Sequence, residues 1–276
     1  MFPLGDVERS NIVPVGTYGL IALNVLMFLV QTMQGDVFTT SYAATPYEIT
    51  HNFDITHEFE MARPPHPFLP NFLVSQEPDS EDLVAQGPVA IPIWMTLFTA
   101  MFMHGGMMHL LGNMFYLWIF GDNVEEFLGT KRYILAYLGC GLAASAAQIL
   151  AAPNSVIPTL GASGAIAGLM GMYAVWFPRN RIRVLLPFPL MAIVNIPALW
   201  FIGFWIAMQL FLGFGSLEKL GSAGGVAYLA HFGGAAAGVL IGILFRNQIR
   251  SQQPQWWDEA VYGPYPGPGT GQPPSY

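Results

Sequence analysis

A few polar side chains interrupt the long apolar stretches of this sequence, and their types suit acyl-transfer chemistry. Ser163 lies in a Gly-Ala-Ser-Gly segment, and His231 lies in an apolar run rich in glycine and alanine. A serine hydroxyl becomes an effective nucleophile when a neighbouring base takes its proton, and neutral histidine is the usual base. The sequence therefore predicts Ser163 as a nucleophile and His231 as its general base.

A second polar pair could stabilise the negative charge that such an attack creates. His109 and Asn113 are spaced i and i+4, so they share one face of a helix. Both side chains can offer N–H groups to an oxyanion, and preorganised donors of this kind lower the barrier substantially. The backbone N–H of Ser163, near a helix N-terminus, is a further donor. We expect these three groups to form an oxyanion hole.

Membrane-spanning helices must position these residues, because the chain is too apolar to face water on all sides. Of its 276 residues, 53% are hydrophobic and only 10% are charged, whereas soluble domains carry about 25% charged residues. A helix needs about 20 apolar residues to cross about 30 Å of hydrocarbon. The apolar stretches predict six such helices, at residues 16–33, 97–121, 131–152, 160–177, 192–214 and 223–245.

The predicted fold class is therefore an all-α integral membrane bundle of six transmembrane helices with a long first external loop. Eight of the 10 lysine and arginine residues lie on one side of the membrane if the N-terminus is cytoplasmic, as the positive-inside rule favours. Both termini are then cytoplasmic. The chain divides into a cytoplasmic segment (1–15), a membrane domain (16–250, with the external loop at about 34–96) and a Pro/Gly-rich tail (251–276) expected to be disordered.

This topology brings the polar groups together. The second, fourth and sixth helices run in the same direction, and each carries its polar group in its first half. At 1.5 Å per residue, all of these groups can lie in the outer half of the membrane. Glycines spaced four apart on the fourth and sixth helices, at Gly164/Gly168 and Gly234/Gly238, allow close approach of the two backbones.

The ordered set of motifs resembles the rhomboid intramembrane serine proteases. The matches fall in the family's order, on the second, fourth and sixth predicted helices: His104-x4-His109-x3-Asn113, the Gly-Ala-Ser-Gly of 161–164, and Ala230-His231 followed by Gly234 and Gly238. The opening PLGDVERSNIVPV also looks like the start of bacterial members. The resemblance covers about residues 1–250.

The resemblance implies a Ser–His dyad without a catalytic acid, in a bacterial-type six-helix core. Ser163 would act as nucleophile and His231 as base, with the oxyanion hole described above. His104, Gly161 and Gly164 would support these groups. The resemblance further implies cleavage of transmembrane segments of membrane proteins, no metal or cofactor, substrate entry past the fifth helix, and a bacterial plasma membrane.

The chain departs from the family pattern in two places: it lacks the Trp-Arg pair that some members have in the first external loop, and it differs at one position after the serine. Some members carry a tyrosine four residues after the serine, where it supports the histidine ring. This chain has Ala167 there. His231 is therefore expected to be held differently, in a way that the resemblance does not supply.

Two other functions fit parts of the pattern. A proteolytically silent rhomboid-like protein that binds membrane proteins would have the same fold, although such relatives usually lack the serine or the histidine. A transporter could use intramembrane histidines as a proton relay, but it needs a polar path through both leaflets. Apart from Lys131 and Arg132 at the start of the third helix, the inner half of each predicted helix lacks a charged residue or a histidine. The net charge of −7 argues against a nucleic-acid partner.

Overall fold

The computed structural model describes residues 2–8, 10–55, 87–186, 192–216 and 228–250. The helices, in chain order, are α1 (Val15–Gln34), α2 (Asp36–Ser41), α3 (Pro46–His51), α4 (Thr96–Thr99), α5 (Met107–Leu128), α6 (Thr130–Ala151), α7 (Ser163–Trp176), α8 (Ala198–Ser216) and α9 (Tyr228–Arg250). Single turns of 3₁₀ helix at Ile93–Met95 and Ala100–Phe102 flank α4. Three strands are β1 (Phe2–Asp6), β2 (Arg181–Leu186) and β3 (Ala192–Pro197).

Within the described residues, three helices are long and apolar enough to cross a membrane, namely α1, α6 and α9. The helices α5, α7 and α8 occupy the positions of the other three predicted spans. The count of six transmembrane helices therefore stays a prediction, although a mainly helical chain with membrane-spanning elements is confirmed. The tail at 251–276 and the part of the external loop at 56–86 lie outside the described residues.

Two predicted spans begin too early. The start of 97–121 forms α4 and a 3₁₀ turn, and α5 begins only at Met107, after Gly106 with a φ of +157° that favours glycine. The start of 192–214 forms β3, and α8 follows at Ala198. The β-branched residues of this segment suit a strand once a pairing partner is available.

The prediction of an all-α chain is wrong at one end of the bundle, where the three strands form an antiparallel sheet in the order β1-β2-β3. In β2, exposed Arg181 and Arg183 alternate with buried Ile182 and Val184, the period of a half-buried strand. Because β1 belongs to the N-terminal segment, the sheet fastens that segment to the connection between α7 and α8.

Asp6, the last residue of β1, is buried where the sheet meets α5 and α7. It accepts hydrogen bonds from Asn123 Nδ2 at 2.7 Å, from the backbone N–H of Glu8 at 2.9 Å and from the Tyr173 hydroxyl. Burial disfavours the ionised carboxyl and raises the pKa of Asp6 to about 7. These contacts hold the N-terminal strand against the helices.

A second buried carboxylate, Glu125, joins α1, α5 and α6. It accepts the backbone N–H groups of Gly16 and Thr17 at 2.7 and 2.8 Å. It also accepts the hydroxyls of Thr17 and Thr130 at 2.9 and 2.7 Å. The first two N–H groups belong to the start of α1 and have no partner within that helix. Glu125 therefore fixes the start of α1 against the end of α5 and the start of α6.

The centre of the bundle is α7, whose residues from Gly164 to Tyr173 are all buried. Glycines let its backbone touch that of α9. A Cβ built at Gly168 would lie 3.1 Å from the carbonyl oxygen of Gly234, and one built at Gly234 would lie 2.9 Å from the carbonyl carbon of Gly164. The predicted close approach of these two helices is confirmed, and it places the first turn of α7 beside the first turns of α9.

Candidate active site

Ser163 is the first residue of α7. Two residues earlier, Gly161 has a φ of +124°, a backbone conformation that favours glycine. The Gly161 N–H donates to the carbonyl of Ala100 at 2.8 Å, which anchors the turn. Ser163 therefore lies at a helix N-terminus, where backbone N–H groups lack intrahelical partners and the helix dipole favours negative charge.

Ser163 and His231 meet across the interface of α7 and α9. His231 Nε2 lies 2.7 Å from Ser163 Oγ, a hydrogen-bond distance. His231 is buried and Ser163 is partly exposed. With the ring proton on Nδ1, the serine hydroxyl donates to Nε2, which is the arrangement that a nucleophile and its base require.

His231 is supported from α8. Its Nδ1 lies 2.7 Å from Gln209 Oε1. One helical turn earlier, Trp205 packs beside the imidazole, with ring centroids 5.6 Å apart. Ala167, the position of the tyrosine found in some rhomboids, is fully buried in α7. Sequence reasoning missed Gln209 and Trp205, although an uncharged amide within an apolar span was a usable signal.

His109 and Asn113 face the turn that precedes Ser163. A Cβ built at Gly161 would lie 2.9 Å from His109 Nε2 and 3.7 Å from Asn113 Nδ2. His109 Nδ1 accepts a long hydrogen bond, 3.4 Å, from the N–H of Gly105, which leaves the ring proton on Nε2. Asn113 Nδ2 is buried with no hydrogen-bond partner among the described residues. Both side chains can therefore present N–H donors beside the Ser163 turn.

His104 is buried behind this pair. Its ring centroid lies 5.2 Å from that of His109, in an edge-to-face arrangement. Gln31 of α1 fixes the backbone of His104, accepting its N–H and donating to its carbonyl, each at 3.0 Å. Both ring nitrogens of His104 lack hydrogen-bond partners among the described residues. The structure thus places His104 beside the predicted oxyanion donors but not in contact with Ser163.

A cavity of about 40 Å³ adjoins Ser163 between α6 and α7. Ser145 and Gln148 of α6 line it together with Gly161 and Gly164. Gln148 Oε1 is buried without a partner among the described residues. The volume is enough for a water molecule, and the lining supplies polar partners for one. The described residues contain no group of three or more His, Cys, Asp or Glu side chains that could hold a metal ion.

Comparison with known proteins identifies relatives of this chain. A family model described as the Rhomboid domain matches residues 92–248, a range that includes all of the predicted site residues. The chain is 31% identical to Rhomboid protein 1, mitochondrial, of Saccharomyces cerevisiae over 166 residues, which cover 58% of this chain and 44% of that protein. It is 30% identical to Rhomboid protease GluP of Bacillus subtilis over 158 residues, 57% of this chain and 24% of that protein.

A plastid protein is also similar. The chain is 36% identical to Rhomboid-like protein 11, chloroplastic, of Arabidopsis thaliana over 99 residues, 34% of this chain and 35% of that protein. The chain spans less than half the length of each of these three relatives. Since two of them are named as organellar proteins, the comparisons do not support the bacterial plasma membrane that the resemblance implied.

Proposed function

We propose a function from one premise, that the chain belongs to the rhomboid family. We propose that this chain is a serine endopeptidase that cleaves transmembrane segments of membrane proteins. The observation that carries this proposal is the 2.7 Å contact between Ser163 Oγ and His231 Nε2, made by two helices whose contact depends on glycines. A buried histidine aimed at a serine on a helix N-terminus suits nucleophilic catalysis.

The acylation step uses the groups around Ser163. Oγ attacks the scissile carbonyl carbon while its proton passes to His231 Nε2. The developing oxyanion would accept hydrogen bonds from the Ser163 backbone N–H, His109 Nε2 and Asn113 Nδ2. His231 then gives its proton to the leaving amine, which departs as the peptide bond breaks and leaves an ester on Ser163.

The deacylation step needs water inside the membrane. His231 would take a proton from a water molecule as that water attacks the ester, and then return the proton to Ser163 Oγ as the ester bond breaks. The product leaves with a new carboxyl group. The cavity beside Ser163, with Ser145 and Gln148 in its lining, is large enough to hold such a water next to the ester.

The length of α7 supports a reaction within the outer half of the membrane. Its 14 residues span about 21 Å, less than the roughly 30 Å of hydrocarbon. Arginines follow its C-terminal end at Arg179, Arg181 and Arg183, which favours the cytoplasmic face for that end. Ser163, at the other end, would then lie about 9 Å below the outer surface of the hydrocarbon.

A transmembrane substrate must expose a peptide bond that its own helix normally protects. Peptide groups within a helix are hydrogen-bonded along the segment, and in hydrocarbon this bonding is strongly favoured. Glycine and proline weaken a helix. We therefore propose single-span proteins with such residues in their outer half as the substrate class.

Cleavage in liposomes tests the proposal. The substrate is a single-span protein with a Gly/Ala-rich outer segment, incubated with wild type, Ser163→Ala and His231→Ala. We expect wild-type cleavage within the membrane segment and none with either variant. Folded wild type that cleaves none of several such substrates would favour the silent, protein-binding alternative. Cleavage that persists in Ser163→Ala would rule out the proposed nucleophile.

A further inference from the structure

We propose that Gln209 is the positioning residue for His231, fixing the ring tautomer in which Nε2 can act as a base. The inference rests on the proposed function, because it concerns the same dyad. Gln209 is not a catalytic residue here, since it contacts the base and neither Ser163 nor the reacting atoms.

The two hydrogen bonds of His231 determine where its proton lies. Nε2 faces Ser163 Oγ at 2.7 Å, and it can accept the hydroxyl proton only if it is unprotonated. A neutral imidazole must then carry its proton on Nδ1. The oxygen of the Gln209 amide, 2.7 Å from Nδ1, is the acceptor that this proton needs. One amide thus selects the reactive tautomer and holds the plane of the ring.

Among the described residues, no carboxylate performs this task. The hydrogen-bond partners of the His231 ring there are the Gln209 amide and the Ser163 hydroxyl. Ala167 of α7 offers only a methyl group. The apolar support is Trp205 of α8, one turn before Gln209. The helix α8 therefore supplies both the polar and the aromatic support of the base.

A neutral amide is sufficient for this task. A buried carboxylate beside the imidazole would fix the same tautomer, but it would also stabilise the protonated ring. A neutral amide oxygen fixes the tautomer without adding charge to a low-dielectric site, where unpaired charge is costly. Removal of the acceptor would leave a buried Nδ1–H unsatisfied, which favours the other tautomer or a turned ring.

The tautomer of His231 can be determined by NMR without measuring proteolysis. In ¹⁵N-histidine-labelled Ser163→Ala protein, the His231 nitrogens are assigned by comparison with protein that also carries His231→Ala. The proposal predicts a protonated Nδ1 and an unprotonated Nε2 at neutral pH, and loss of this pattern when Gln209→Leu is added. Protonated Nε2 with Gln209 present, or an unchanged pattern in Gln209→Leu, would overturn the proposal.

Kinetics separate positioning from a structural role. We compare wild type with Gln209→Leu, Gln209→Glu and Met208→Leu, the last an exposed neighbour on the same helix. Gln209→Leu should lower kcat by about ten- to a hundredfold with KM little changed, as loss of a residue that orients a functional group does. Gln209→Glu keeps an acceptor, so it should retain most of kcat and move the acid limb of the kcat profile to higher pH. Met208→Leu should match wild type.

The outcomes distinguish this proposal from the proposed function. Wild-type levels of kcat in Gln209→Leu, or equal losses in the leucine and glutamate variants with the wild-type pH profile, would overturn the role of Gln209. Absence of Ser163-dependent cleavage in wild type would overturn the protease assignment, and the nitrogen spectrum would still decide whether Gln209 fixes the ring.

Discussion

The contact between α7 and α9 gives a sharp prediction, because Gly234 lies one turn after His231 and touches the residue after Ser163. A methyl carbon built at Gly234 would lie 2.9 Å from the carbonyl carbon of Gly164 and closer still to its oxygen. Backbone atoms cannot rotate away as a flexible side chain can. In Gly234→Ala, the two helices must therefore separate or the site must distort.

The size of the effect follows from the geometry. Favourable contact between heavy atoms begins near 3.5 Å, so clearing the carbonyl oxygen, the nearer of the two atoms, requires a shift of about 1.5 Å. The Ser163–His231 distance of 2.7 Å would then grow beyond hydrogen-bonding range. Misplacement of reacting groups by about 1 Å costs about a hundredfold in rate, or roughly 2.7 kcal/mol in the barrier. The overpacking itself should lower the free energy of unfolding by about 1–3 kcal/mol.

The assay is the initial rate of cleavage in liposomes, with thermal unfolding followed by circular dichroism on the same preparations. Gly139→Ala on α6 is the matched control, because a Cβ built at Gly139 meets nothing within 4 Å. We expect this control to cleave like wild type. Gly234→Ala should remain folded at the assay temperature and cleave about a hundredfold more slowly.

Two results would refute this reasoning. Cleavage by Gly234→Ala at the wild-type rate would mean that the dyad does not depend on the close contact of α7 and α9. An equal loss in Gly139→Ala would mean that any added methyl group in the bundle has this effect, whatever its surroundings.

Three further predictions concern other parts of the molecule. Glu125→Gln should lower the free energy of unfolding by about 2–4 kcal/mol, because one carboxylate accepts four hydrogen bonds, three of them buried. Exposed Glu126→Gln should change it by less than about 0.5 kcal/mol, and similar unfolding midpoints for the two variants would contradict this. The raised pKa of Asp6 means that the folded state holds a proton that the unfolded chain releases above its ordinary pKa of 3.8. The contribution of Asp6 to the free energy of unfolding is therefore fully present below pH 3.8. It is lost as the pH rises through about 7, by up to roughly 4 kcal/mol. Asp6→Asn should remove this part of the pH dependence in denaturation measurements, and an unchanged slope would count against a protonated Asp6. His109→Ala should lower kcat by about a hundredfold, as loss of one oxyanion donor does. It should change the free energy of unfolding little, because the side chain is exposed. An unaltered kcat would show that His109 is not part of the oxyanion hole.

Much of the candidate site was predictable because polar side chains are rare in the apolar spans. Ser163, His231 and Asn113 were conspicuous for this reason, and the glycine spacing indicated which helices meet. The hydrophobic pattern also gave α1 and α6 to within a residue or two of their observed ends. A membrane restricts the possible folds so strongly that composition and spacing were enough for these elements.

The remaining features depend on tertiary partners that the sequence does not reveal. The β3 residues continue the apolar run of α8, and only pairing with β2 distinguishes a strand from the start of a helix. The alternation of exposed and buried residues in β2 was not recognised as a strand pattern, because its arginines equally well indicate the cytoplasmic side of the membrane. Gln209 stood out in the sequence only as an amide within an apolar span, and its partner is identified by the 2.7 Å contact with His231 between two helices.

The central claim, that His231 activates Ser163 as a nucleophile, is tested most directly by covalent labelling. Folded protein in liposomes is treated with a fluorophosphonate, and the modified residue is identified by peptide mass spectrometry. We predict one phosphonylated residue, Ser163, with labelling abolished in Ser163→Ala and strongly slowed in His231→Ala. Modification of a different residue, or labelling of Ser163 at an undiminished rate in His231→Ala, would contradict the account.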